Sequence, residues 1–452
     1  MNRQSRTRCA LPALLLAAGL AAPFTLHAAD LLQIYRDARS NDATFASARA
    51  ALQAGREKLP QGRALLQPTI NMAANATYNS DWYTNTAGAT AGQRFSRDFN
   101  SNGWSVTLNQ PLFRMQNWTQ YQQSEFQVAQ AEAVFAQASQ DLIVRAAQAY
   151  FDVLASQDSL AFIQAQKTAI AEQLAQARRN FEVGTATITD MHEAQARFDL
   201  STSQEIAAQN DIEFKQRALQ QLIGKFPDTL TPIGPRLTLA PPQPTAMETW
   251  AETAQRQNYT VRLQEASVEI ANREVERNRQ GHYPTLDLVG TYARADQNAS
   301  LVSGIGFEQK IATIGLQLTV PIYTGGVVNS RIREALANQD KARSDLEGSR
   351  RSVALAARQS YLGVTNGMAQ VRALEQALLS SETALASNRL GYEVGVRINI
   401  DVLNSQQQVF STKRDLSKAR YDTIMNGLRL KAAAGSLTEA DVEEVNRLLG
   451  AS

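Results

Sequence analysis

The chain states one plan twice, and that constrains its fold more than any other feature. Residues 180–199, "NFEVGTATITDMHEAQARFD", lie without a gap on residues 391–410, "GYEVGVRINIDVLNSQQQVF". Glu182 meets Glu393, Val183 meets Val394 and Gly184 meets Gly395, an offset of 395 − 184 = 211. Asp190 falls on Asp401 and Gln195 on Gln406, with Ile188 against Asn399 as a mismatch. Tyr150 matches Tyr361 and Gly224 matches Gly435 in flanking segments. Further upstream, "NQPLF" (109–113) meets "TVPIY" (319–323), and Pro68 meets Pro284. Two long copies indicate a duplicated domain and not a solenoid. The copies span 30–226 and 246–435. The Pro-rich connector 227–245 separates them, and 436–452 extends beyond the second.

Each copy reads helix, strand, strand, long helix, turn, long helix. The first helix is expected over about 31–65 and its counterpart over about 246–281. Strands are expected at about 68–83, 102–113, 284–295 and 310–322, joined by exposed loops at about 84–101 and 295–309. Ile70, Met72, Ala74, Ala76 and Tyr78 alternate with polar residues, as do Trp104, Val106 and Leu108. Leu286, Leu288 and Tyr292 do the same, and so do Ile314, Leu316, Leu318 and Val320. Alternation of this kind gives each strand one apolar and one wet face. Pro68, Pro111, Pro284 and Pro321 stand at strand ends, where a missing N–H is tolerated.

No proline or glycine interrupts Met115 to Asn180. Apolar residues recur there every seven positions, among them Val128, Phe135, Leu142, Ile163 and Ile170, a coiled-coil signature with one shift of phase. Such a helix reaches about 100 Å at 1.5 Å per residue. Reversal is expected at tips 181–188 and 392–399, where Gly184 and Gly395 permit a helix C-cap.

Residues 1–29 read as a secretory leader. Arg3, Arg6 and Arg8 precede the apolar run 11–26, and Ala28 and Ala29 follow it. The only cysteine, Cys9, precedes that run, so the mature chain is expected to hold no thiol and no disulfide. Lys plus Arg number 45 and Asp plus Glu 43; without the three leader arginines the balance is 42 to 43. A near-neutral chain gives no support to a nucleic-acid partner. No later segment has the run of about 18 apolar residues that a membrane helix needs. An exported chain of this kind is soluble or crosses a membrane as strands.

Four two-faced strands cannot close a barrel, since about eight is the minimum and free edges are untenable in lipid. If these strands cross a membrane, several chains must share one barrel. Tyr78, Trp82, Tyr83, Trp104 and Tyr292 are placed to form its interfacial aromatic girdles.

The duplicated plan, the paired "EVG" turns and the terminus "AAAGSLTEADVEEVNRLL" (432–449) together resemble the TolC family of outer-membrane channel proteins. The resemblance covers essentially the whole mature chain. It is nearer the family's namesake than the lipoprotein efflux subfamily, because Cys9 precedes the apolar run. It implies a mainly α fold: a long coiled-coil tunnel plus a 12-stranded β-barrel shared by a homotrimer, four strands per chain. It also implies an outer-membrane location and passive export of drugs or proteins. The partners implied are outer-membrane lipid, a periplasmic adaptor (membrane fusion) protein and an inner-membrane ABC or proton-driven transporter.

Residue by residue, the resemblance places the gate network at Thr189, Asp190, Tyr392 and Arg397. It places adaptor docking at Val183, Gly184, Thr185, Val394, Gly395 and Val396. The constriction is implied at Asp401 and at Asn404, where the family's second acid is absent, so the cation-attracting ring is expected to be weaker here. Asp190 and Asp401 also lie in first helical turns, where stabilising the helix dipole is sufficient reason for them. No HExxH, nucleophile elbow or clustered metal ligand is present, so no enzyme activity, cofactor or metal is expected. A periplasmic adaptor or a structural coiled coil are the competing classes. Neither requires four alternating strands in two copies.

Overall fold

A computed structural model describes residues 29–185, 187–234, 239–299 and 305–450. All but the last residue of the expected leader lies outside the described residues, as do parts of the connector and of the second strand-to-strand loop.

The first copy begins with α1 (Leu31–Asn41), α2 (Ala43–Arg56) and α3 (Lys58–Ala64). The second begins with α6 (Met247–Gln257) and α7 (Tyr259–Arg279). The continuous first helix expected in each copy is therefore broken. Apart from a further break at Glu57 in the first copy, the break is at Asp42 in one and Asn258 in the other, both in extended conformation. Each side chain caps the following helix, Asp42 accepting from Phe45 N–H and Asn258 from Thr260 N–H. Asx side chains compete with the helical ladder in this way, so the two equivalent kinks have one cause.

The strands β1 (Thr69–Thr84), β2 (Arg94–Phe113), β3 (Thr285–Gln297) and β4 (Phe307–Thr319) form one antiparallel sheet in sequence order. β2 starts eight residues earlier than its alternation indicates. Its first turn-rich residues pair with the end of β1, from Thr84 on Arg94 onward, so the first loop is much shorter than expected. The register aligns like with like. Ile70, Leu108, Gly290 and Ile314 make one row across the sheet; Asn71, Thr107, Thr291 and Thr313 make the neighbouring row on the other face. Ile70, Met72, Ile314 and Leu316 are each at least 66% exposed. The apolar face is bare, and β1 and β4 are unpaired edges among the described residues.

From this sheet run α4 (Met115–Glu182), returning as α5 (Ile188–Ile223), and α8 (Val327–Glu393), returning as α9 (Asn399–Ala433). The 68 residues of α4 are unbroken. The main core lies at the waist of these helices, not at either end. Leu142, Tyr150, Phe151, Leu154, Leu219, Ile223 and Met425 are enclosed there by α1 and by α10 (Glu439–Gly450). The duplicated tyrosines tie down the segment between copies: Tyr150 Oη donates to Thr231 O at 2.7 Å, and Tyr361 Oη donates to Thr245 O.

Candidate functional site: the paired helix tips and the barrel junction

Both tips close by the same hydrogen bonds. Thr185 N–H donates to Asn180 O at 2.8 Å, and Val396 N–H donates to Gly391 O at 2.9 Å. These i to i−5 bonds are Schellman caps, which need a left-handed residue. Gly184 (φ 78°) and Gly395 (φ 79°) supply it. Nothing lies within 4 Å of the place where a Cβ would sit on either glycine. Val183, Val394, Val396 and Ile398 are each more than 60% exposed around them. The six positions expected to dock an adaptor thus form two adjacent, largely apolar turns with open backbone.

The equivalent aspartates do different work. Thr187 caps α5, its Oγ1 accepting from Asp190 N–H at 3.3 Å. Asp190 Oδ2 accepts in return from Thr187 N–H at 3.1 Å. This reciprocal capping box satisfies two orphan donors of the helix start. In α9 the matching cap position is Ile398, which offers no side-chain bond. The Asp401 carboxylate is left to Arg397, 3.6 Å away, in an exposed pair of small energetic worth.

The four positions read as a gate are therefore not joined to one another within the chain. Thr189 is exposed without a side-chain partner among the described residues. Asp190 bonds Thr187, Arg397 faces Asp401, and Tyr392 Oη accepts from Asn180 Nδ2 at 3.2 Å. That last bond sets the two tips side by side. Asn404 is held by a residue that no sequence motif singles out. Arg197 on α5 donates through Nη2 to Asn404 Oδ1 at 3.0 Å and through Nη1 to Gln407 Oε1 at 2.6 Å. The repeat mismatch also has a structural counterpart: Ile188 is 51% exposed, whereas Asn399 is buried with neither amide atom partnered.

At the other end, Arg114 caps the sheet-to-helix step. Its Nε and Nη2 donate to the two carboxylate oxygens of buried Asp287, at 2.9 and 2.6 Å. This bidentate pair fixes β2 of one copy to β3 of the other. Trp104 and Tyr292 pack 5.5 Å apart between ring centroids, and their strand positions share the apolar face with Tyr78 and Trp82. Tyr83 does not share it; by register it lies on the opposite face, stacked on Phe95. A second exposed aromatic set, Phe113, Trp118, Tyr283 and Tyr323, surrounds the junction. Alternation did not reveal this set because it lies where strands give way to turns and helices. No helix among the described residues is long and apolar enough to cross a membrane.

The family model described as outer membrane efflux protein matches residues 34–225 and 250–436, one match per copy. Outer membrane protein TolC of Vibrio cholerae is 32% identical over 422 residues, 93% of each chain. The proteases secretion protein PrtF of Dickeya chrysanthemi is 31% identical, over 92% of this chain and 90% of its own. The crystal structure of the outer membrane protein VceC of Vibrio cholerae superposes with a TM-score of 0.74 at 18% identity, covering 90% of this chain and 96% of that one.

Proposed function

The chain belongs to the outer membrane efflux protein family, and on that premise we propose that it is one of three identical subunits of a gated export duct. The duct crosses the outer membrane as a shared barrel and continues into the periplasm as a helical tunnel. The observation that carries this reading is the sheet. Its four strands expose an apolar face and end in two unpaired edges. Lipid tolerates no such edges, and three copies joined β1 to β4 give a closed barrel of twelve strands. Helices about 100 Å long continue from the same strands.

Transport is passive, and the chain supplies a path and a gate. The exposed turns around Gly184 and Gly395 accept the helices of a periplasmic adaptor protein. Val183, Thr185, Val394 and Val396 provide apolar contact there, and the two glycines allow close backbone approach. The adaptor connects the duct to an inner-membrane ABC or proton-driven transporter, which selects drugs or proteins as cargo. Thr189, Asp190, Tyr392 and Arg397 hold the closed tips across subunit boundaries, since within one subunit they do not meet. Three Asp401 carboxylates ring the constriction and attract cations.

Purified protein in planar bilayers tests the reading. It predicts discrete single-channel conductance that divalent cations reduce from the tip side. Absence of conductance from outer-membrane-extracted trimers would overturn it in favour of an adaptor or a structural coiled coil.

A further inference from the structure

A cavity of about 610 Å³ lies just below the sheet, bounded by α3, α4, α7 and the start of α8. Its charged lining residues are Lys58, Arg277 and Arg331; the rest are amides, a serine, a glycine and a leucine, with no carboxylate. Arg277 is spoken for in part, donating to Glu274 at 2.6 Å and to Gln120 at 2.9 Å. Lys58 and Arg331 are exposed and have no ion pair among the described residues. Glu334, one turn further along α8, is the nearest free acid on that helix and lines a neighbouring depression with Arg331.

Helix phase tells which side of the wall this cavity occupies. On α4, Gln116, Gln120 and Gln123 reach α7, while Asn117 reaches Leu65 at the end of α3 and Ser124 lies under Gly62. At 100° per residue these positions fall within a sector of about 120°. Neighbours that meet a helix within less than half a turn make a wall concave on that side. The cavity faces the concave side, and Trp118 and Glu125 are exposed on the convex one.

We propose that Lys58 and Arg331, with Arg277 beside them, form an oxyanion-binding collar inside the duct where the helical tunnel meets the barrel. It takes phosphate or carboxylate groups carried by exported molecules. The inference rests on the duct reading, which makes the concave side the lumen. Repeated threefold, the collar gives a ring of six cations, Lys58 and Arg331 of each subunit, that have no ion pair within their own subunit among the described residues. Guanidinium and ammonium donors, backed by amides, suit oxyanions, and a ring of one sign inside a pore sets which ions dwell there. Anionic cargo repelled by the Asp401 ring meets a favourable station before the exit.

The test uses the full-length channel in planar bilayers, with inorganic phosphate added on the barrel side as probe. The parent current is expected to fall with phosphate. In Lys58→Gln/Arg331→Gln the half-blocking concentration should rise several-fold, while divalent block from the tip side is unchanged. Lys58→Arg/Arg331→Lys keeps both charges and should keep the block. Equal phosphate response in the parent and the Gln variant, or none in the parent, would overturn the collar while leaving the channel intact. No conductance in any variant or the parent would instead overturn the duct itself.

Discussion

At the scale of single residues, the glycines separate conformational need from space. Gly184 has a positive φ but open surroundings, so Gly184→Ala should cost only the left-handed strain, about 1 kcal/mol. Gly435 has φ 76° and a Cβ there would sit 2.6 Å from Gln257 O. Gly435→Ala therefore costs clearly more, and comparing the two variants by denaturant unfolding checks the order. Asn404 raises a second contrast. Arg197 already contacts it, so Asn404→Asp forms an ion pair and restores only part of a second acidic ring. Divalent block should strengthen further in Asn404→Asp/Arg197→Gln than in Asn404→Asp, and Asp401→Ala should lose most of it. Equal block in Asp401→Ala and the parent would remove Asp401 from the constriction. The "EVG" turns and the paired aspartates were legible in the repeat itself, whereas Asn404 was singled out only by the family resemblance. The capping box also had a signal, since "TITD" (187–190) keeps its threonine where "INID" (398–401) has Ile398. Arg197 and Asn180 had none, because their partners lie on other helices about 200 residues away.

At the scale of elements, α4 was readable because no proline or glycine interrupts it and its apolar residues recur every seven positions despite one shift of phase, and β1, β3 and β4 because they alternate. The kinks at Asp42 and Asn258 were hidden by good helix formers on either side. Only the Asx residues mark them. Asp42 both caps α2 and accepts from Arg145 Nη1 and Nη2 at 3.3 and 2.7 Å. The Arg145 hydrogen bond, opposed by burial and helped by the Phe45 N–H, holds the Asp42 carboxyl below its usual range. A lowered folded-state pKa stabilises above the unfolded value near 4 and is lost as pH falls through the folded value. Asp42→Asn should therefore cost about 1–2 kcal/mol at pH 7 and progressively less below about pH 4. Thermal melts at pH 7 and pH 3 measure the gap, and a gap independent of pH would contradict the pairing. Tyr150→Phe and Tyr361→Phe each remove a bond to the segment between copies. About 1 kcal/mol is expected from each, with the larger effect at Tyr150, the more deeply buried of the two.

At the scale of the whole molecule, the chain is finished in one region and open in two. Its waist is finished: α1, α10 and the connector enclose a core within one subunit. Its two ends are not. The sheet has bare edges and an apolar face, and the tips present unpartnered valines around open glycines. The sequence carried this division as well, since the strands numbered too few to close and the mature length held no membrane helix. Any contact between the tips of separate subunits was beyond its reach, because such contacts leave no periodicity within one chain.

The central claim is that β1 of one subunit pairs with β4 of the next. The only native cysteine, Cys9, lies in the expected leader, and replacing it with serine lets introduced cysteines report without background. Within one subunit β1 and β4 are three strand spacings apart, roughly 14 Å, beyond the 7 Å Cα limit of a disulfide. Single cysteines stepped along Ile70–Ala76 of β1, each combined with one on Ile311–Gln317 of β4, should give at matching registers a covalent trimer that reductant dissolves. Monomers at every register, or an open ladder of dimers and higher forms, would contradict the shared barrel.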